Sequence, residues 1–287
     1  VTDGRGAVPA TAWTCGDRRF DLRDRVLVMG VLNVTPDSFS DGGRHGDPAT
    51  ALAHARSMLT EGADLLDVGA ESTRPGATPV TDDLQWARLE PVIEPLAREG
   101  VCVSVDTASA AVAGRALEAG ARVVNDVTAL GDPGMAAAVA RAGAGLVLMH
   151  MQGTPATMQD DPRYDDVRAD VTAHLLARAA AAEAAGVGRE HIALDPGIGF
   201  GKTVAHNLAL LSGVGALAAH GYPVLVGVSR KGFLGRLTGE PVDQRVEAGL
   251  AAAAVAVFEG ARIVRTHDVA ATVRALRVAE ALRRARA

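Results

Sequence analysis

With 287 residues, 48% hydrophobic and 22% charged, the chain has enough apolar material for one large core, and barrels of roughly 250 residues form single domains. A net charge of −5, with no basic block except Arg283-Arg284-Ala285-Arg286 at a helix end, argues against a nucleic-acid partner. The longest apolar stretch, Gly249 to Phe258, is too short for a membrane, residues 1–25 carry no signal-like apolar run, and Cys15 and Cys102 lack metal-ligand spacing, so a soluble protein of a reducing cytoplasm is expected.

Residues 1–25 stand apart as a leader and hairpin. Thr11–Cys15 and Arg18–Leu22 flank the turn pair Gly16-Asp17, a pattern that predicts a hairpin closing the bottom of whatever follows. From Val26 a repeat takes over. Short Val/Ile/Leu runs predict strands over Val26–Leu32, Leu65–Val68, Val101–Val105, Arg122–Asn125, Leu146–Met149, Ile192–Leu194, Val224–Val228 and Arg262–Val264. Little polar alternation within them suits parallel strands buried on both faces. Alanine-rich segments with helical period lie between, such as Ala49–Glu61, Asp170–Ala185, Ala205–Ala219 and Arg245–Glu259. Several segments end at glycines expected just past a helix: Gly62, Gly100, Gly120, Gly186 and Gly260. Strand, helix, glycine, strand, repeated eight times over residues 26–287, predicts a single α/β domain, a (β/α)8 barrel. Three strand-to-helix connections are long, Asn33 to Pro48, Glu71 to Asp82 and Met151 to Asp165, and the first two have the Gly, Pro, Ser and Asp content of mobile binding loops.

Each predicted strand ends in a polar cluster: Asn33, Glu71-Ser72-Thr73-Arg74, Asp106, Asn125-Asp126, His150, Asp195, Ser229-Arg230-Lys231 and Arg265-Thr266-His267. A barrel gathers all eight at one mouth. Asp106, Asn125 and Asp195 suit a flat heterocycle whose ring nitrogens and amino group need paired donors and acceptors; the bland alternative is a hydrogen-bond network between strands. Arg74, Arg230, Lys231, Arg265 and His267 are equipment for an oligophosphate, with no acidic run nearby to pair them; salt bridging is the alternative for each, a fair one for Arg74 on its loop and a poor one for Lys231 and Arg265, which directly follow buried strands. Asn33 offers one oxygen to a Mg2+ bridging such phosphates.

Two features mislead. Gly197-Ile198-Gly199-Phe200-Gly201-Lys202-Thr203 resembles a phosphate-binding P-loop, but three residues separate Gly197 from Gly201 where the motif needs about four, and the dinucleotide spacing fails as well. His150 has no second ligand at metal spacing and reads as a polar residue of the barrel wall.

The stretches Met29-Gly30-Val31-Leu32-Asn33-Val34-Thr35-Pro36-Asp37-Ser38-Phe39-Ser40-Asp41-Gly42-Gly43 and Asp67-Val68-Gly69-Ala70-Glu71-Ser72-Thr73-Arg74-Pro75-Gly76 closely resemble the signatures of dihydropteroate synthases. Asn125-Asp126-Val127, Leu148–Gly153, Leu194–Lys202, Ser229-Arg230-Lys231 and Arg265-Thr266-His267-Asp268 continue the resemblance in order to the C-terminus. It implies that 4-aminobenzoate displaces pyrophosphate from 6-hydroxymethyl-7,8-dihydropterin diphosphate, giving 7,8-dihydropteroate, by an SN1-like displacement that uses no nucleophilic side chain. By the same resemblance Asp106, Asn125, Asp195 and Lys231 hold the pterin, and Asn33, Arg74, Arg265 and His267 surround the pyrophosphate, Asn33 also contributing to Mg2+. Phe39, Thr73, Pro75, Phe200 and the backbone near Ser229 frame the aminobenzoate, and Lys231, Asp106, Arg265 and His267 carry the chemistry. Ala70 stands where the family more often has Gly, and intact Thr73-Arg74-Pro75 implies sensitivity to sulfonamides.

Two alternatives share the pterin clamp: a pterin-binding methyltransferase barrel, which has no need of the pyrophosphate cations, and an inactive pterin-binding paralogue. The apolar surfaces of Ala205–Ala219 and Arg245–Phe258 suggest a covered face, and the resemblance implies a homodimer.

Overall fold

A computed structural model of the chain describes residues 10–35, 47–71 and 80–286. An N-terminal hairpin, β1 (Ala12–Cys15) and β2 (Arg18–Asp21), precedes eight strands: β3 (Leu27–Asn33), β4 (Leu65–Gly69), β5 (Val103–Asp106), β6 (Val123–Asp126), β7 (Gly145–Met149), β8 (Ile192–Asp195), β9 (Leu225–Gly227) and β10 (Ile263–Thr266). These pair in parallel in the order β8-β7-β6-β5-β4-β3-β10-β9. A parallel bridge between Leu194 and Val224, with Leu194 N donating to Pro223 O at 2.9 Å, joins the two ends and closes the barrel. The predicted (β/α)8 architecture is therefore the observed one.

Helices α1 (Pro48–Thr60), α2 (Asp82–Arg98), α3 (Ala110–Glu118), α4 (Met135–Ala142), α5 (Val167–Ala184), α6 (Val204–Ser212), α7 (Val214–Ala218), α8 (Gly232–Thr238), α9 (Val246–Glu259) and α10 (Val269–Arg286) follow the strands. Their starts follow from local chemistry. Asp47 accepts from Ala49 N with Pro48 in the first helical turn of α1, and Thr203 with His206 closes a capping box on α6.

The observed strand bounds differ from the expected ones by one or two residues, and two departures have a visible cause. Strand β5 starts at Val103 rather than Val101, because Val101 N still donates to Leu96 O and finishes the turn after α2. The helix expected over Ala205–Ala219 breaks at Gly213. There Arg168 Nε occupies Ala209 O at 2.8 Å, and Gly213 N turns to Leu210 O instead. The expected mobile loops after Asn33 and Glu71 fall largely outside the described residues.

Strand side chains alternate between two environments. Val28, Leu66, Val103, Val124, Leu146, Leu194, Val226 and Val264 face the helices in the larger core. The opposite parity points into the barrel. Its hairpin end is apolar: Leu27, Met29, Leu65, Val123, Val147, Ala193, Leu225 and Ile263 pack against Trp13, Cys15 and Leu22. Trp13 is fully buried, and its Nε1 donates to His191 O at 2.8 Å. Gly16 N donates to Gly143 O at 3.0 Å, so the hairpin plugs the bottom as the sequence suggests. Two residues further along, the same inward parity turns polar: Leu65 gives way to Asp67, Val123 to Asn125, Ala193 to Asp195 and Ile263 to Arg265.

Candidate active site at the barrel mouth

The centre of the mouth is a carboxylate that the sequence reading left without a role. Asp67 is fully buried mid-strand in β4 and faces Ser104 across the β4–β5 ladder. Its Oδ1 accepts from Ser104 Oγ at 2.6 Å, and its Oδ2 from Asn125 Nδ2 at 2.9 Å and from Arg265 Nε at 2.6 Å. Arg265 continues to Asp106, donating from Nη2 to Oδ2 at 2.9 Å. One guanidinium thus bridges two carboxylates from neighbouring strands, the fork geometry that a lysine could not reproduce. The expected set of unpaired cations is corrected on this point: Arg265 is engaged by Asp67 and Asp106, and Arg230 by Asp268 at 2.6 Å.

The inter-strand network considered as the bland alternative does exist, but it leaves ligand-binding capacity over. Asn125 Oδ1 is buried without a partner. A buried acceptor in that state costs roughly 1–3 kcal/mol unless a ligand donor meets it. Asp195 lies on the other side, its Oδ1 accepting from Gly197 N at 2.7 Å. Lys231 immediately precedes α8, with Nζ 3.8 Å from the centroid of the Phe200 ring, a cation–π contact that joins the expected pterin residue to the expected aminobenzoate residue.

Ser229, Arg230, His267 and Asp268 form the flank where phosphate-binding cations are expected. Ser229 Oγ lies 3.1 Å from His267 Nδ1, accepts from His267 N at 3.2 Å and reaches Asp268 Oδ2 at 3.3 Å. The trio has the composition of a nucleophilic triad but not its order, because Asp268 contacts the serine rather than the histidine. Ser229 instead orients His267. Asn33 sits half-buried at the end of β3; an added Cβ on Gly69 would lie 3.7 Å from its Oδ1 and 3.6 Å from Asp106 Oδ2, so both oxygens face the same spot.

Burial dominates the electrostatics. It raises Asp106, helped by the Asp67 charge, and raises Asp195, while Arg265 and Lys231 act in the opposite sense on both. Lys231 is lowered by burial and by Arg265. His267 is lowered to about 4 by burial and by Arg265, so it is neutral near pH 7.

The P-loop look-alike has a different use. Lys202 is fully buried and donates to Phe200 O at 2.8 Å, with its Nζ 3.0 Å from His150 Nδ1. Gly197 has φ +68°, and a Cβ there would come within 1.9 Å of His150 O, so the glycine permits the loop to fold against β7. His150 is therefore a wall residue that holds Lys202, as its lack of metal spacing suggested. Asp126 is structural as well: it accepts from Thr128 N, Thr128 Oγ1 and Leu130 N, holding Ala129 and Leu130 at φ 48° and 67°.

Asp106, Asn125, Asp195, Lys231, Arg265, His267, Phe200, Ser229 and Asn33 all belong to strand ends or following loops at one end of the barrel. Phe39, Thr73, Arg74 and Pro75 lie outside the described residues. Asp67 and Ser104 were legible in principle: a carboxylate and a hydroxyl inside apolar runs, at the parity of Leu65 and Asp106.

The sequence pattern of the family described as pterin binding enzyme matches residues 29–267. The dihydropteroate synthase of Neisseria meningitidis serogroup C is 49% identical over 276 residues, covering 94% of this chain and 97% of that protein. The Yersinia pestis dihydropteroate synthase, solved as a complex with a sulfonamide drug, superposes with a TM-score of 0.90 at 45% identity, covering 95% of this chain and 99% of that one. The Xanthomonas albilineans enzyme, solved with 4-aminobenzoic acid, gives 0.88 at 48% identity, covering 95% and 98%. A closed barrel with this buried network at its mouth, matched over nearly its whole length by such relatives, belongs to the dihydropteroate synthase family of pterin-binding enzymes.

Proposed function

We infer that the chain is a transferase of folate biosynthesis that joins 6-hydroxymethyl-7,8-dihydropterin diphosphate to 4-aminobenzoate, giving 7,8-dihydropteroate and pyrophosphate. The observation that carries this reading is the Asp67–Asn125–Arg265–Asp106 network, with its unmet acceptor, set between Lys231 and His267. Asp106, Asp195 and Asn125 Oδ1 accept from the N–H groups of the pterin, and Lys231 donates to it. Arg265 and His267 serve the diphosphate, and the family resemblance adds Arg74 to them. A neutral His267 serves there as a hydrogen-bond partner rather than as a fixed charge.

The reaction is a dissociative displacement. The bond from the pterin methylene to the diphosphate oxygen breaks, and its electron pair leaves with pyrophosphate. The aromatic amine then forms the new C–N bond and sheds a proton. Positive character at the methylene is stabilised by the ring and by the facing carboxylates, and charge on the leaving group by Arg265. Mg2+ would be held by Asn33 together with diphosphate oxygens and, when bound, would neutralise negative charge there. The fit rests on the hard amide oxygen of Asn33, which faces the space above Gly69; among the described residues no group of three or more His, Cys, Asp or Glu could hold a metal. Phe200 and the backbone near Ser229, with Phe39, Thr73 and Pro75, frame the aminobenzoate, a site where a sulfonamide competes.

The protein acts as a homodimer in the cytoplasm. Leu208 on α6, Val255 on α9 and Val278 on α10 are exposed apolar residues on helices that pack in sequence, α6 on α9 and α9 on α10. The deciding assay is 4-aminobenzoate-dependent release of pyrophosphate with Mg2+ present. The wild type should turn over and Asp106→Ala and Arg265→Ala should not; an inactive wild type supplied with both substrates would overturn the assignment and return the pterin-binding methyltransferase and the inactive paralogue as readings.

A further inference from the structure

We propose that Asp67 sets the hydrogen-bond polarity of the heterocycle site: by accepting from Asn125 Nδ2 it turns Asn125 Oδ1 outward as a fixed acceptor, so that the site selects the ring edge that offers an N–H. The inference rests on the pterin reading above and adds a specificity-determining residue that does not itself touch the ligand.

The geometry leaves little choice of orientation. Both Asp67 oxygens accept, from Ser104 and from the Arg265 guanidinium, so Asn125 can present only its amide N–H to Asp67; the flipped amide would set two oxygens against each other at the observed 2.9 Å. Asp67 is also filled, by Ser104 on Oδ1 and by Arg265 with Asn125 on Oδ2, so none of its donors can be exchanged without loss. Ser104 has a second part in the arrangement. Asn125 stands on β6 and Asp67 on β4, with β5 between, and the small serine at the intervening inward position lets the amide reach across. What remains is Asn125 Oδ1, buried and unpaired. Every other polar atom of this trio is satisfied within the protein, so the one left over is the one a ligand reads.

The test is a cycle of full-length variants assayed by steady-state kinetics with each substrate varied in turn. Asp67→Leu removes the acceptor that orients Asn125, and Asn125→Leu removes the outward oxygen itself; Asp67→Asn keeps an oxygen toward Asn125 and Arg265 while its amide N–H turns to Ser104. Asp67→Leu and Asn125→Leu should each raise KM for the pterin diphosphate by about 10- to 100-fold, the range for a buried polar group left unmatched, while KM for 4-aminobenzoate changes little and Asp67→Asn keeps most of the wild-type affinity. The double Leu variant should be no worse than Asn125→Leu alone, because Asp67 acts through Asn125. Ser104→Ala, which loosens Asp67 without changing polarity, should have a small effect. A double variant in which the two single effects multiply, or Asp67→Leu with an unchanged KM, overturns the proposal. So does failure to fold of both Asp67 variants, since the carboxylate would then serve folding rather than selection. Product formation by the wild type keeps these outcomes separate from failure of the functional assignment itself.

Discussion

Arg265 shows how much one side chain carries. It is the only cation in hydrogen-bond contact with both Asp67, which has no exposed surface, and Asp106 among the described residues. Removing one member of a buried ion network leaves uncompensated charge, which costs about 3–5 kcal/mol. Arg265→Ala should therefore lower stability by roughly that amount in urea denaturation, in addition to abolishing turnover. A variant of unchanged stability would show that water, not Arg265, balances the two carboxylates. His150 carries a pH dependence. Burial first, and the Lys202 charge second, lower its pKa to about 3 from an ordinary 6.5. The unfolded chain thus binds a proton that the folded chain refuses between those values, so this contribution to stability is complete above pH 6.5 and is lost as pH falls toward 3. His150→Gln keeps an acceptor for Lys202 but cannot titrate, so its melting temperature should fall less between pH 7 and pH 4.5 than that of the wild type. Parallel curves for the two proteins would assign the acid sensitivity to other groups.

The hairpin β1–β2 separates stability from catalysis at the level of elements. Trp13 and Leu22 cover the apolar end of the barrel interior, while the reacting groups stand at the opposite ends of the same strands. Truncating a large buried aromatic costs about 3–5 kcal/mol through lost burial and a residual cavity. Trp13→Ala should lower thermal stability on that scale and leave kcat unchanged at a temperature where the variant is folded; a matching loss of kcat would mean that the plug and the mouth are coupled. The strands were readable because their Val/Ile/Leu runs are short and bounded by glycines. The break between α6 and α7 was not, because its cause is Arg168, an arginine 41 residues away from the carbonyl it occupies. Nor could sequence spacing show that Lys202, placed like a phosphate-binding lysine, is buried against His150 and braces the loop that carries Phe200.

For the whole molecule, the exposed apolar residues of the late helices bear on assembly. Val255 is 52% exposed and Val278 61%, on adjacent helices α9 and α10. If this face is covered by a second copy, Val255→Asp should shift sedimentation from dimer to monomer with little change in monomer stability, because the substitution lies on an already exposed surface. A wild type that sediments as a monomer at all concentrations would remove the dimer from the proposal. The eight-fold repeat, the hairpin plug and the identities of Asp106, Asn125, Asp195, Lys231, Arg265 and His267 were determined by the sequence alone, because barrel strands announce themselves by apolar runs and their polar ends mark the mouth. The pairing among those residues was decided only by the tertiary structure. Asp67 and Arg265 are 198 residues apart in the chain yet share a hydrogen bond, since closing the barrel sets β10 beside β3 and sends the arginine across its interior to β4. Which cations are already neutralised, and which amide oxygen is left for a ligand, are properties of that closure and not of any local run of residues.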